Sequence, residues 1–215
     1  MPLNRSKEPF SSPDWIYELK YDGFRALAEI EYGRCRLVSR NGNAFATFRD
    51  LALRIGKLFP DNRVVLDGEI VCLDKRGRPH FKNLRFHRGE PSFVAFDLLF
   101  DTGTDLRREQ VLDRKAELRR LLGHVPQNEP LMYVDHIEQH GEALFQRVCK
   151  LDLEGIVAKL KSGPYVSERE RSTWRKILNS AYSQREGREE LFEHDRDKEP
   201  VPGWHSCVAA CAQWE

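Results

Sequence analysis

The stretch from Glu18 to Arg25, ELKYDGFR, decides how the chain is read. It sets a lysine, an aspartate, a glycine and an arginine at the end of the alternating run WIYELKY. A free lysine amine titrates near ~10.4 and is protonated at neutral pH, so it does not attack electrophiles. Burial or neighbouring cations lower that value and expose a nucleophile. In an extended strand side chains alternate, so Asp22 and Lys20 are expected on one side, with Arg25 continuing that face if the strand is uninterrupted. Asp22 would then orient the amine or a sugar hydroxyl. Gly23 lets a ligand approach the backbone. The same octapeptide also reads as a solvated strand face carrying an ordinary salt bridge.

Outward from this stretch the chain reads as strands and short turns. FRALAEIEYGRCRLVSR predicts a hairpin around Tyr32-Gly33, and RNGN a second turn. FRDLALRIGKLF has helical spacing of its apolar residues. VVLDGEIVCLD predicts a strand turning at Lys75-Arg76-Gly77, and PSFVAFDLLF a strand bounded by Pro91 and Gly103. REQVLDRKAELRRLLG predicts an amphipathic helix ending at Gly123. GEALFQRVCKLDL predicts a helix leading into the strand GIVAKL, and STWRKIL predicts a last strand. The fold class expected is α+β, with largely antiparallel sheets flanked by helices. No repeated βαβ pattern supports a doubly wound sheet.

The 215 residues suffice for one large or two small domains. With 40% hydrophobic and 32% charged residues, the composition is that of a soluble globular protein. A net charge of +1 neither advertises nor excludes nucleic-acid binding, because a basic face can be balanced elsewhere. No apolar run is long enough to span a bilayer, and MPLNRSKEPF lacks the apolar core of a signal peptide. A cytoplasmic, nucleoid-associated protein with no membrane partner is expected. Cys35, Cys72, Cys149, Cys207 and Cys211 are expected as reduced thiols. Cys207 and Cys211 lie near His194 and His205 in sequence, but no second cysteine pair completes a zinc site. From Asn179 the chain turns polar and charged, and it ends with Trp204 and Trp214, expected to dock on the domain or a partner. We expect one domain over 1–192 and a C-terminal tail over 193–215.

Three further stretches carry chemistry. Arg40 ends a strand before a tight turn, where an arginine can reach a sugar or phosphate. Asp67-Gly68-Glu69 interrupts a β-branched run, and buried carboxylates are costly unless a ligand, metal or cation satisfies them. Glu154 and Lys159 flank Ile156-Val157-Ala158 in the same way.

KYDG, SRNG, LDGEIV, FVAFDLL, LEGIVAK and WRKI resemble, in order and approximate spacing, the motifs of ATP-dependent DNA ligases. The likeness runs over roughly residues 8 to 192 and is to the ligase module of bacterial end-joining enzymes. It implies the nucleotidyltransferase (ATP-grasp-like) fold of ligase adenylation domains. It implies that Lys20 attacks the α-phosphorus of ATP, expels pyrophosphate and holds AMP as a phosphoramidate. Asp22 and Arg40 would contact the ribose or position the nick, and Glu69 would bind a ribose hydroxyl. Phe96 would stack on adenine, and the main chain near Glu18 would read the base edge. Glu154 would help hold Mg2+, Lys159 and Lys176 would face the phosphates, and Arg25 would serve the 5′-phosphate. A metal and Lys176 would also depress the pKa of Lys20. Arg25, Arg40, Lys159, Lys161, Arg169, Arg171, Arg175 and Lys176 are expected on one DNA-facing surface.

Two features depart from the family pattern. Leu178 stands where the family's WxKxK carries its second lysine, which implies transition-state charge less well neutralised by roughly 2–4 kcal/mol. About forty residues follow Lys176, too few for the five-stranded OB-fold that usually comes next. A separate OB-fold or repair protein would then be a partner. The resemblance leaves two other functions open. One is a catalytically weakened ATP- or DNA-binding accessory protein of DNA repair. The other is an RNA ligase or capping-type nucleotidyltransferase.

Overall fold

The computed structural model describes residues 1–185. Its strands, in chain order, are β1 (Asn4–Arg5), β2 (Trp15–Lys20), β3 (Phe24–Glu31), β4 (Arg34–Ser39), β5 (Arg63–Cys72) and β6 (Pro91–Asp101). There follow β7 (Thr104–Asp105), β8 (Leu131–Tyr133), β9 (His136–Glu138), β10 (Gly155–Leu160) and β11 (Trp174–Leu178). The helices are α1 (Arg49–Lys57), α2 (Phe81–Arg85), α3 (Val111–Leu122) and α4 (Gly141–Lys150). Among the described residues no helix is long and apolar enough to cross a membrane.

The strands form two sheets. Sheet A has the order β1-β11-β10-β2-β9, and sheet B the order β4-β3-β5-β6-β7 with β8 on β6. Pairing is antiparallel except where β1 meets β11 and β8 meets β6. The predicted hairpin is present: Tyr32 and Gly33 take φ of 44° and 82°, the left-handed turn that matches strand twist. Period-two alternation sorts β3 between two cores. Ala26, Ala28 and Ile30 join a core roofed by α1 and α3, while Leu27 points the other way. That other way leads between the sheets, where Leu27, Val65 and Leu99 meet Tyr165 and Trp174. A third cluster, including Tyr17, Val148 and Ile156, seats α4 on the outer face of sheet A. Leu66, Ile70 and Phe93 are wholly buried, each worth about 1.5–3 kcal/mol of hydrophobic transfer.

The strands β1, β7, β8 and β9 and the short α2 lie outside the sequence prediction; at two to five residues they are too short to show a period. The cysteine–histidine group around Cys207, the two C-terminal tryptophans and the division at residue 192 lie outside the described residues.

Candidate active site

The register of sheet A builds the site in rows. On the face toward sheet B, Lys20, Gly155 and Leu178 lie abreast. The next row is Glu18, Val157 and Lys176, and the next is Ile16, Lys159 and Trp174. Alternation does this work, since each row is two residues from the last. Sheet B answers with Val65, Asp67 and Glu69 on β5 and Arg25 on β3, which pairs with Glu69. The cleft between them is lined by Leu3, Glu18, Lys20, Arg25, Glu69 and Phe96, among others. It encloses about 40 Å³. That is small beside the roughly 300 Å³ at which ligand pockets ordinarily start.

Lys20 Nζ donates to Glu154 Oε2 at 2.8 Å, so the candidate nucleophile and the candidate metal ligand hold each other. Lys176 stands beside them. Burial lowers its pKa first, and the charge of Lys20 lowers it further. Glu69 is half-buried, and burial raises its carboxyl to about 7 against the pull of Lys20 and Arg25. Leu178 is half-buried in the row of Lys20 and belongs to none of the apolar clusters among the described residues. Arg175 points to the outer face, over the rings of Trp15 and Phe10 at 5.2 and 5.9 Å, so it does not replace the missing cation.

Several expectations need correcting. Asp22 does not share the face of Lys20. β2 ends at Lys20 and β3 begins at Phe24, so the chain bends through Tyr21, Asp22 and Gly23. Asp22 is buried and accepts a hydrogen bond from Tyr182 Oη at 3.2 Å. The bend demands Gly23, because a Cβ there would lie 2.1 Å from the Ile70 carbonyl oxygen. Arg25 leaves that face as well. It grips Asp67 through Nε at 3.0 Å and Nη2 at 2.6 Å, with Phe96 and Trp174 rings 5.4 and 5.7 Å from its guanidinium. Burial would raise the Asp67 carboxyl, but Arg25 overrides it and takes the pKa down to about 2.

Lys159 does not face the Lys20 end. It is 1% exposed, pairs with Glu18 Oε2 at 2.7 Å and donates to the Phe96 carbonyl at 2.9 Å. Burial takes its pKa down to about 8 even with Glu18 beside it. The expected single basic surface is therefore divided. Arg40 and Arg169 lie within electrostatic reach of Lys176, while Lys161 pairs with Glu138 and Arg175 faces outward. Phe96 is half-buried, edge-on to Trp174 at 5.8 Å, and it does border the cleft.

The sequence reading missed Arg114, Lys115 and Tyr165. Arg114 and Lys115 look like the polar face of an amphipathic helix, yet both are buried. Arg114 clamps Asp97 through two 2.8 Å bonds. Tyr165 Oη donates to Asp67 at 2.9 Å. The adjacent pair of cations on a helix that must cover a sheet was the available signal. Among the described residues no group of three or more His, Cys, Asp or Glu could hold a metal. Mg2+ typically needs only one or two carboxylates besides nucleotide phosphates, and Glu154 fits that lesser demand.

Comparison with known proteins agrees with the two-sheet fold. Residues 4–177 match the family model described as ATP dependent DNA ligase domain. The multifunctional non-homologous end joining protein LigD of Pseudomonas aeruginosa is 35% identical over 169 residues, covering 76% of this chain and 20% of that protein. The ligase domain of M. tuberculosis LigD superposes with a TM-score of 0.72 at 28% identity, over 82% of this chain and 58% of that one. A mycobacterial DNA ligase D solved with ATP and MES gives 0.71 at 30%, over 82% and 59%. The chain spans only about a fifth of the LigD protein that it matches. With the motif lysine at the mouth of a two-sheet cleft and four-fifths of the sequence matched, the chain belongs to the ATP-dependent DNA ligase family, in its nucleotidyltransferase (adenylation) domain.

Proposed function

We propose that the protein is a DNA ligase-type nucleotidyltransferase that transfers AMP from ATP through Lys20. The Lys20 nitrogen attacks the α-phosphorus, a P–N bond forms and the bond to pyrophosphate breaks. The AMP then passes to the 5′-phosphate of a DNA nick or break: a P–O–P linkage forms, the P–N bond breaks and Lys20 leaves as the amine; end joining is what the LigD relatives are named for. The observation that carries this is the placing of Lys20 Nζ at 2.8 Å from Glu154 with Lys176 beside it. Phosphoryl transfer asks mainly for positioning and for cations around developing charge, and this group supplies both.

Glu69 would hold a ribose hydroxyl and Phe96 the base. Arg40 would meet the ribose or the DNA end, and Asp22, through Tyr182, would fix the bend carrying Lys20. Glu154 would hold Mg2+, which when bound neutralises phosphate charge and polarises the α-phosphorus. A cytoplasmic location follows from a DNA substrate. The test is intact-mass measurement after incubation with ATP and magnesium. One added AMP, absent in Lys20→Ala, is expected; an adduct that persists in Lys20→Ala overturns the assignment.

Leu178 favours a second reading. A leucine abreast of Lys20 leaves the phosphate end one cation short. An accessory protein that binds ATP or DNA without transfer would show no adduct in the same experiment.

A further inference from the structure

From Lys75 to Arg88, KRGRPHFKNLRFHR, the chain carries six lysines and arginines, two histidines and no acid. The rest of the sequence, with 29 basic against 34 acidic residues, is net negative. The near-neutral total therefore hides one strongly basic element. It joins β5 to β6 beside the bend that follows Lys20. Leu73, at its root, and Tyr21, next to Lys20, pack against the same cluster with Val71. The Phe81 ring lies 5.4 Å from that of Phe24, just past Gly23.

The element is firmly mounted. Asp74 Oδ1 accepts from the backbone N–H groups of Arg76 and Arg78 at 2.8 and 2.9 Å, and Oδ2 accepts from Arg78 Nε at 3.0 Å. The one neighbouring carboxylate at this turn is thus occupied in building it. Phe81 and Leu84 are buried and seat α2. Lys75, Arg76, Lys82 and Arg88 remain exposed, and none of them forms an ion pair with another described residue. Phe86 follows α2 and is 54% exposed, with the Arg88 guanidinium 5.8 Å from its ring centre. Duplex DNA would satisfy the cations and leave this ring bare, because its base faces are closed within the stack. An unpaired strand offers phosphates to the cations and an open base face to the ring.

We propose that the 75–88 element is a binding surface for an unpaired strand of DNA, with phosphates on Lys75, Arg76, Lys82 and Arg88 and a base stacked on Phe86. DNA with its broken end at Lys20 and a single-stranded tail is then held at two places. The inference rests on DNA being the partner, as in the reading above, and needs no AMP transfer.

The test is fluorescence anisotropy, without ATP, on a blunt duplex and on the same duplex with an oligothymidine tail of about ten nucleotides. The wild-type protein should bind the tailed DNA more tightly. Phe86→Ala should lose about 5-fold or more in affinity for the tailed DNA and less than about 2-fold for the blunt one, as expected for one lost base–aromatic stack. Phe86→Trp should keep the preference for the tail. Lys82→Ala and Arg88→Ala should each lower the slope of log affinity against log salt on the tailed DNA by about 0.7. Melting temperatures should match wild type, since Phe86, Lys82 and Arg88 are exposed. Equal affinity of the wild type for both DNAs, or an equal loss on both in Phe86→Ala, would overturn the proposal. Tail preference that depends on Phe86 in a protein forming no AMP adduct supports this surface and defeats only the transfer reading. An adduct at Lys20 without tail preference defeats only this surface.

Discussion

Lys20 and Glu154, 134 positions apart in sequence, meet at 2.8 Å at the mouth of the cleft. The contact joins the end of β2 to the residue just before β10, and their antiparallel register sets Lys20 against Gly155. Glu154 thus pairs with the amine directly and, on the proposed reading, would also hold a metal arriving with ATP. Glu154→Gln should slow adenylylation about 100-fold, the loss typical of one preorganised electrostatic group. The slow variant should also need more magnesium. Single-turnover rates across a magnesium titration check both, and a variant as fast as wild type would remove Glu154 from the mechanism.

Leu178→Lys should restore the missing cation. The side chain lies in the row of Lys20 and outside the apolar clusters of the described residues, so the exchange removes little packing. Adenylylation should speed up by roughly one to three powers of ten. Stability should move by no more than about 0.5–1 kcal/mol, since the new charge joins Lys20 and Lys176. Rate and melting temperature are read on the same sample. A variant that melts early without gaining speed would favour the accessory-protein reading.

Glu69 gives a pH dependence of defined sign. In the fold its carboxyl keeps its proton to about pH 7, against 4.5 in the unfolded chain. A raised pKa contributes stability that is complete below 4.5 and lost as pH rises through 7. The melting temperature of wild type should therefore decline from pH 5 to pH 8 more steeply than that of Glu69→Gln. Parallel profiles for the two proteins would show that Glu69 titrates normally.

Asp67 is held by Arg25 and Tyr165 with no exposed side-chain surface. Asp67→Asn breaks a buried charge pair from one side and should cost about 3–5 kcal/mol. Tyr165→Phe removes one hydrogen bond to a charged group and should cost about 1.5–3 kcal/mol. Urea denaturation measures both. A loss below about 1 kcal/mol for Asp67→Asn would show that Arg25 finds another partner.

The divided basic surface predicts which cations reach DNA. Arg40→Ala and Arg169→Ala should each lower the slope of log affinity against log salt on nicked duplex by about 0.9. Arg175→Ala should leave the slope unchanged, because its guanidinium lies over Trp15 and Phe10 on the opposite face. A slope that responds to Arg175 and not to Arg40 would move the DNA to the outer face of sheet A.

Much of this was legible in the sequence because period-two and period-3.6 patterns are local. The Tyr32-Gly33 hairpin, α1, α3, α4 and the long strands β5 and β6 lie where the alternation and turn residues put them. The site motifs were legible too: Lys20 and Glu69 line one cleft, Glu154 pairs with Lys20, and Lys176 lies within electrostatic reach of both members of that pair. What failed was inference across a bend. The face shared by Lys20, Asp22 and Arg25 assumed one straight strand, and the crowding of Gly23 against Ile70 breaks it. The burial of Lys115 was invisible for another reason. It is stabilised by Glu18, a carboxylate 97 positions away in sequence, a distance no periodicity covers.

The bonds around the cleft sort themselves by sheet. Lys20 ends β2 and Glu154 immediately precedes β10, both on the sheet A side, while Arg25 and Asp67 both belong to sheet B. Only a few polar contacts cross, among them Lys115 to Glu18 and Tyr165 to Asp67. The molecule is therefore built like a vice whose jaws carry finished tooling. Parting the jaws strains the crossing contacts and the apolar seam of Leu27, Val65, Leu99 and Trp174, and leaves each reactive pair intact on its own plate. Mechanical compliance and chemical readiness are thereby assigned to different bonds.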